Sequence, residues 1–274
     1  MSPLFQFLFF ILLFTSMDIA AQKQHEIVID QNFQKHFDEY GVKGSVIIFD
    51  ASTNKTYYYD KPRTQKRFSP ASTFKIFNSL VGLETAVIPD TSFVIQWDSV
   101  KRGNYLPWNR SNSLNSAFKY SVVWYYQELA RRVGSEKMQY YLSLNKYGNE
   151  SIKDSIDAFW LSDYGGKLEI SQQEQIGFLN KLYHDKLAFS KRSQQLVKTI
   201  MLMESNEEYS LSAKTGMCSG NSLWYGWYVG WIEKEKKVYF FATHMECDDN
   251  KKILSGARKN ITLSFFQDLN LIKK

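Results

Sequence analysis

KGSVIIFDASTNKTYYYD, residues 43–60, decides the fold. An apolar strand runs into a turn of Asp50, Ser52, Thr53 and Asn54 and leaves along an aromatic strand, the pattern of a β-hairpin. From Ser69 to about Leu196 the periodicity changes to a helical one, as in SVVWYYQELARRVG, EKMQYYLSL and SQQEQIGFLNKLYHD. After Tyr209 strands return as SLSAKTGM, LWYGWYVGWIEKE and KKVYFFATHME, and ARKNITLSFFQDLNLI then spaces its apolar residues like a helix lying on a sheet. The expectation is an α+β fold. One antiparallel sheet is built from both chain ends (about 22–66 and 208–274), with flanking helices and an inserted helical lobe (about 67–207). A cleft between the two is the natural place for a site.

Bulk properties agree with a folded domain. The chain has 274 residues, of which 44 % are hydrophobic and 16 % aromatic, enough to bury a substantial core. Its net charge is +6, yet the lysines and arginines are scattered, as in KRGNYLPWNR and EKEKK. That distribution fits a solvated basic surface better than a nucleic-acid stripe. The first residues, MSPLFQFLFFILLFTSMDIAAQ, carry an apolar run too short for a comfortable membrane span, followed by small residues at Ala20 and Ala21. This reads as a signal peptide over residues 1–21, with export to a bacterial periplasm or beyond and no lasting membrane partner. The missing basic residue before the run leaves an uncleaved anchor as the alternative.

Cys218 and Cys247 each end a strand, with a third strand between them. Strands two apart lie about 9–10 Å from each other, wider than a disulfide spans. That spacing favours two free, half-buried thiols, and the pairing stays open. His25, His36, His184 and His244 are too dispersed for zinc-site spacing, so no metal is expected.

Chemistry enters with RFSPASTFKIFNSLVGLE, residues 67–84. Ser-x-x-Lys occurs four times, at Ser52/Lys55, Ser72/Lys75, Ser116/Lys119 and Ser143/Lys146, so context must separate chemistry from coincidence. Ser52 lies in the hairpin turn, and Ser116 and Ser143 lack comparable helix-start signals. Before Ser72, Ser69 is a suitable N-cap and Pro70 a suitable first helical residue. Ser72 then falls in a first turn whose free backbone N–H groups and dipole favour an oxyanion. Lys75 lies one turn on, flanked by Phe74, Ile76 and Phe77. Desolvation there would lower its pKa and make the amine a base.

Two more pieces complete a set. Lys214-Thr215-Gly216 lies in a strand-like segment, offering a cation, a hydroxyl and a small residue at a strand edge. Ser121 stands in KYSVVWYYQ on the helical lobe. These three elements occur together in serine β-lactamases and penicillin-binding proteins. From about Lys43 to Ile272 the chain closely resembles the class D serine β-lactamases, the oxacillinase group. RFSPASTFKIFNSL, WNRSNSLNSAFKYSVVWYYQELARRVG, KYGN (with Tyr147-Gly148-Asn149), DAFWL, LSAKTG and GWYVGWIEKE carry the likeness. The second motif is Ser121-x-Val123 rather than Ser-Asp-Asn.

The resemblance implies hydrolysis of penicillin-type β-lactams through an acyl-enzyme on Ser72. Lys75, carboxylated by CO2, would be the base for both half-reactions, with no other cofactor. Trp160 would support that carbamate, and Val123 and Leu161 would close over it. The backbone N–H groups of Ser72 and Met217 would hold the oxyanion. Ser121 with Lys214 would pass a proton to the leaving nitrogen, and Thr215, Gly216 and Arg258 would bind substrate. The partner expected is thus a small molecule and not a nucleic acid. A β-lactam sensor, a cell-wall peptidase and a non-catalytic binding module are the rivals on the same scaffold; rapid deacylation separates the first two from a β-lactamase.

Overall fold

The computed structural model describes residues 25–28, 31–153 and 155–273. The expected signal peptide, residues 1–21, lies outside them. Seven strands form the main sheet: β1 (His25–Val28), β2 (Lys43–Asp50), β3 (Lys55–Tyr59), β4 (Leu202–Ser205), β5 (Ser210–Gly220), β6 (Leu223–Lys234) and β7 (Lys237–Cys247). Their spatial order is β1-β3-β2-β7-β6-β5-β4. The chain ends meet in the middle, where β2 pairs with β7 and Ile47 stands opposite Ala242. Every neighbouring pair is antiparallel except β1, which runs parallel to β3 along one edge. β4 falls on the helical side of the boundary expected near residue 207. The sequence hides it because LMES carries two exposed apolar residues, Leu202 and Met203, and no buried alternation.

Alternation along the strands gives the sheet two apolar faces. On one face Ile47, Trp227, Val229, Trp231, Phe240 and Ala242 merge into a single core with the inserted helices. On the other, Val46, Ile48, Tyr228 and Phe241 meet Phe37 of the short helix Lys35–Asp38 and Ile261, Phe265 and Phe266 of the last helix. The insertion therefore does not carry a core of its own.

The helices that place the site are α1 (Lys75–Glu84), α2 (Leu114–Lys119), α3 (Val123–Val133), α4 (Ser135–Asn145), α5 (Gln172–Tyr183), α6 (Lys191–Met201) and α7 (Arg258–Asp268). In α1 every residue from Lys75 to Leu83 is buried, so it forms the axis of the insertion and packs on α3 and α6. α5 starts with a capping box, Ser171 and Glu174, and returns to the sheet. Its Gln172 donates to Ser45 O (3.0 Å) and Ala242 O (2.7 Å) and accepts from Ser45 Oγ (2.5 Å). No helix among the described residues is long and apolar enough to cross a membrane.

Both cysteines are free, and they are fully buried rather than half-buried. β6 separates them as expected, with Tyr225 opposite Cys218 and Trp224 opposite Cys247. Burial pushes the Cys218 thiol up to about 11. Among the described residues no group of three or more His, Cys, Asp or Glu side chains could hold a metal.

Candidate active site

The turn entering α1 differs from the expected N-cap. Residues Ala71–Phe74 form a 3-10 turn ahead of the helix, and Ser69 does not cap it. Instead Ser69 Oγ donates to Trp160 O (3.0 Å), and Trp227 Nε1 donates to Ser69 O (2.9 Å). This segment is thus tied both to the DAFWL loop and to the sheet. Ala71 holds φ at 47°, a left-handed value that costs an L residue energy. The short turn lifts Ser72 to the floor of a cleft of about 490 Å³.

Lys75 is fully buried, and its Nζ lies 2.7 Å from Ser72 Oγ in a hydrogen bond. Phe74, Ile76 and Phe77 are fully buried around it, and the Tyr126 ring faces the amine at 5.4 Å. Desolvation first, and the nearby Lys214 cation second, push the Lys75 ammonium well below the usual lysine range. The other three Ser-x-x-Lys serines are engaged elsewhere. Ser52 Oγ donates to Asp50 Oδ1 (2.5 Å), Ser116 shares the α2 capping box with Ser113, and Ser143 Oγ accepts from Gln139 on its own helix.

The second serine, Ser121, occupies the break between α2 and α3 with φ at 54°, again left-handed. Lys214 reaches it from β5: Nζ donates to Ser121 Oγ (3.1 Å) and to Thr215 O (3.1 Å). Burial, with Arg258 adding to it, lowers the Lys214 ammonium to about 7. Arg258 Nη1 donates to Gly216 O (2.9 Å) from the start of α7, and its own desolvation brings it down to about 10. Three basic side chains therefore converge, and Ser72, Ser121, Val123, Leu161, Thr215, Gly216, Met217 and Arg258 all line the one cleft.

β5 presents an open edge there. β4 pairs only with Ser210, Leu211 and Ser212, so Ala213 onward has no strand neighbour on that side among the described residues. Ser219 N–H points off this edge, donating to Asp163 Oδ1 (2.5 Å). Backbone donors alternate along a strand, so Met217 N–H, two residues earlier, faces the same side as Ser219. Gly216 lies in close quarters: a Cβ would stand 3.0 Å from Pro70 O and 3.2 Å from Thr73 Cγ2, so the turn would have to give way slightly. Gly148 of Tyr147-Gly148-Asn149 is more tightly constrained, with φ at 56° and Glu169 O where a Cβ would sit.

Trp160 is fully buried and stacks on Phe74, ring centroids 5.3 Å apart. Its Nε1–H has no hydrogen-bond partner among the described residues, an expensive state for a buried donor. The cleft also includes Arg102, Trp108, Trp124 and Trp224, which the sequence reading left unassigned. Trp108 ends a short 3-10 turn, Trp124 lies in α3 and Trp224 at the start of β6, and the density of tryptophan in these segments was the available signal.

The penicillin binding protein transpeptidase domain model matches residues 24–267. Beta-lactamase OXA-48 of Klebsiella pneumoniae is 40 % identical over 243 residues, 89 % of each chain. The crystal structure of a class D β-lactamase from Sebaldella termitidis superposes with a TM-score of 0.85 at 36 % identity, covering 91 % of this chain and all of that one. The C-terminal domain of the Bacillus licheniformis BlaR penicillin-receptor superposes at 0.83 with 30 % identity, covering 89 % and 96 %. The chain belongs to the class D serine β-lactamases. It is a hydrolase of β-lactams on the transpeptidase fold, as the sequence reading expected.

Proposed function

We propose that the protein opens penicillin-type β-lactams through an acyl-enzyme on Ser72, with Lys75 carboxylated on Nζ as the base for acylation and deacylation. The observation that carries this reading is the buried amine 2.7 Å from a serine hydroxyl, with desolvation and a second cation both disfavouring its charge. A neutral amine adds CO2 to give a carbamate and a released proton, and so supplies an anionic oxygen base beside Ser72. A donor is on hand to support that group, since Trp160, stacked on the neighbouring Phe74, keeps a buried Nε1–H with no acceptor among the described residues. Val123 and Leu161 on the cleft wall would limit the water that reaches it.

Ser72 Oγ gives its proton to the modified Lys75 side chain and attacks the lactam carbonyl. The backbone N–H groups of Ser72 and Met217 receive the oxyanion. Ser121, held by Lys214, passes a proton to the departing nitrogen. Thr215 and Gly216 on the open edge align the substrate, and Arg258 pairs with its carboxylate. Water activated by the same Lys75 base then releases the product. The domain division at about 67 and 207 and export to the periplasm or outside the cell belong to this reading too.

Mass spectrometry with a penicillin should reveal a transient adduct on Ser72, and Ser72→Ala should cut turnover by at least about 10⁴-fold. Bicarbonate-depleted protein should regain activity on adding bicarbonate, and 13C-labelled bicarbonate should give a carbamate carbon signal that Lys75→Ala lacks. An adduct that forms but persists would instead identify a β-lactam receptor like the one whose fold this chain shares. Full activity in Ser72→Ala would reject the assignment.

A further inference from the structure

Helix α5 reaches the nucleophile's turn through one hydrogen bond. Gln175 Nε2 donates to Thr73 Oγ1 at 3.1 Å, a bond that bridges 102 positions of sequence between two buried side chains. Thr73 is itself committed to the turn, because its Oγ1 donates to Pro70 O (2.7 Å) and its N–H donates to the same oxygen (3.0 Å). The strained Ala71 lies inside this loop of bonds. Pro70 O and Thr73 Cγ2 are also the two atoms of the turn nearest to where a Cβ on Gly216 would stand, at 3.0 and 3.2 Å. The segment bearing Ser72 N–H thus rests on the strand bearing Met217 N–H through atoms that Thr73 fixes.

Only the Nε2 half of the amide at position 175 is bonded. Its Oε1 is buried without a hydrogen-bond partner among the described residues, and the buried Tyr147 hydroxyl beside Gln175 and Thr73 closes no well-formed bond with either. An unpaired buried acceptor destabilises. A methionine would fill similar space without that cost, and Thr73 would still have Pro70 O to donate to.

We propose that Gln175 is a positioning residue for the reaction. Acting through Thr73, it holds the Pro70 carbonyl against Gly216 and so sets the separation of the Ser72 and Met217 N–H groups that receive the oxyanion. This rests on the acyl-enzyme reading given above. Donors of that kind act only when aimed at the position the oxyanion will occupy, and a loosened turn misplaces one of the two.

The test compares Gln175→Met, Thr73→Val and the double variant in the full chain. Gln175→Met is expected to keep or raise the melting temperature while acylation by a chromogenic penicillin slows about tenfold, part of the 10²–10³ lost when a donor is deleted outright. In the infrared, the ester carbonyl of a slowly hydrolysed β-lactam on Ser72 should move to higher wavenumber as its hydrogen bonding weakens. The bicarbonate concentration for half-activation should not change. Thr73→Val should behave alike, and the double variant should be no slower than the slower single one. Wild-type acylation and an unshifted carbonyl in Gln175→Met, losses that add in the double variant, or rates that fall only in step with stability would overturn the proposal. Absence of any Ser72 adduct in the unaltered protein would sink the acyl-enzyme reading itself, whereas a normal adduct with wild-type kinetics in Gln175→Met sinks this inference alone.

Discussion

Two buried lysines lie behind serines of the same cleft, Lys75 behind Ser72 and Lys214 behind Ser121, and their surroundings divide the work. Lys75 stands at the start of α1 with aromatic and aliphatic walls, and its hydrogen-bonded neighbour is the Ser72 hydroxyl. Lys214 lies on β5, with Ser121 Oγ and a carbonyl as acceptors, and settles near 7. Burial opposes charge at both: Lys75, with the Lys214 cation close by, is pushed well below the ordinary lysine range, while Lys214 comes down to about 7. Desolvation and a neighbouring cation lower both, Lys214 acting on Lys75 and Arg258 on Lys214, and neither has a carboxylate to restore its charge.

Exchanging the two roles is the most severe challenge to this contrast. Lys75→Ala should lower kcat by roughly 10²–10⁴-fold, the range of a lost general base. Lys214→Ala should lower kcat less, because Ser121 keeps its hydroxyl after losing the amine that holds it, and should also raise KM by removing positive charge from beside the cleft. A steady-state comparison in which Lys214→Ala takes the larger kcat loss would dissolve the distinction.

Next in size is Trp160→Phe, which keeps the stack on Phe74 but deletes the unpaired donor. Its half-activating bicarbonate concentration should rise about tenfold, the equivalent of about 1.4 kcal/mol for a hydrogen bond to a charged group, with deacylation slowed more than acylation. Equal slowing of both steps at unchanged bicarbonate demand would make Trp160 a packing residue only.

A smaller effect concerns Lys214 alone. As pH rises through about 7 its charge is lost, so KM for a carboxylate-bearing β-lactam should climb severalfold between pH 6 and 9. A flat KM would mean that bound substrate restores the proton or that Arg258 suffices.

The smallest test reads stability. Both lysines have folded pKa values below the unfolded one, so between the two values the unfolded chain binds more protons and stability rises with pH. In CO2-free buffer from pH 7 to 8, below the ordinary thiol range, stability should rise with pH through Lys75, and Lys214 adds to the rise as it crosses its own titration near 7. Denaturant melts that weaken with rising pH over this interval would contradict the burial of both amines.

Much of this was legible in local sequence. The hairpin at 43–60, the returning strands and the motifs at Ser72, Ser121 and Lys214 each announce themselves within about twenty residues, through alternation, turn chemistry and spacing. What escaped depends on partners a hundred residues away. Ser69 reads as a cap because Ser-Pro is a common helix opening, yet its hydroxyl goes to Trp160 O. Gln172 and Gln175 looked like ordinary members of SQQEQIGFL. The available hint was two amides at i and i+3 on the same helical stripe as Ile176 and Leu179, where polar groups must be bonded once buried. The edge strand β4 escaped because an exposed edge carries no alternation to read.

The bridge at Gln172 has a bearing on biosynthesis. Its amide joins Ser45 near the beginning of the chain to Ala242 near the end, and Lys214 and Arg258 are also supplied late. Synthesis must therefore pass Arg258 before the cleft is complete, and a nascent or truncated chain ending before β7 lacks both that guanidinium and the Ala242 carbonyl that anchors Gln172.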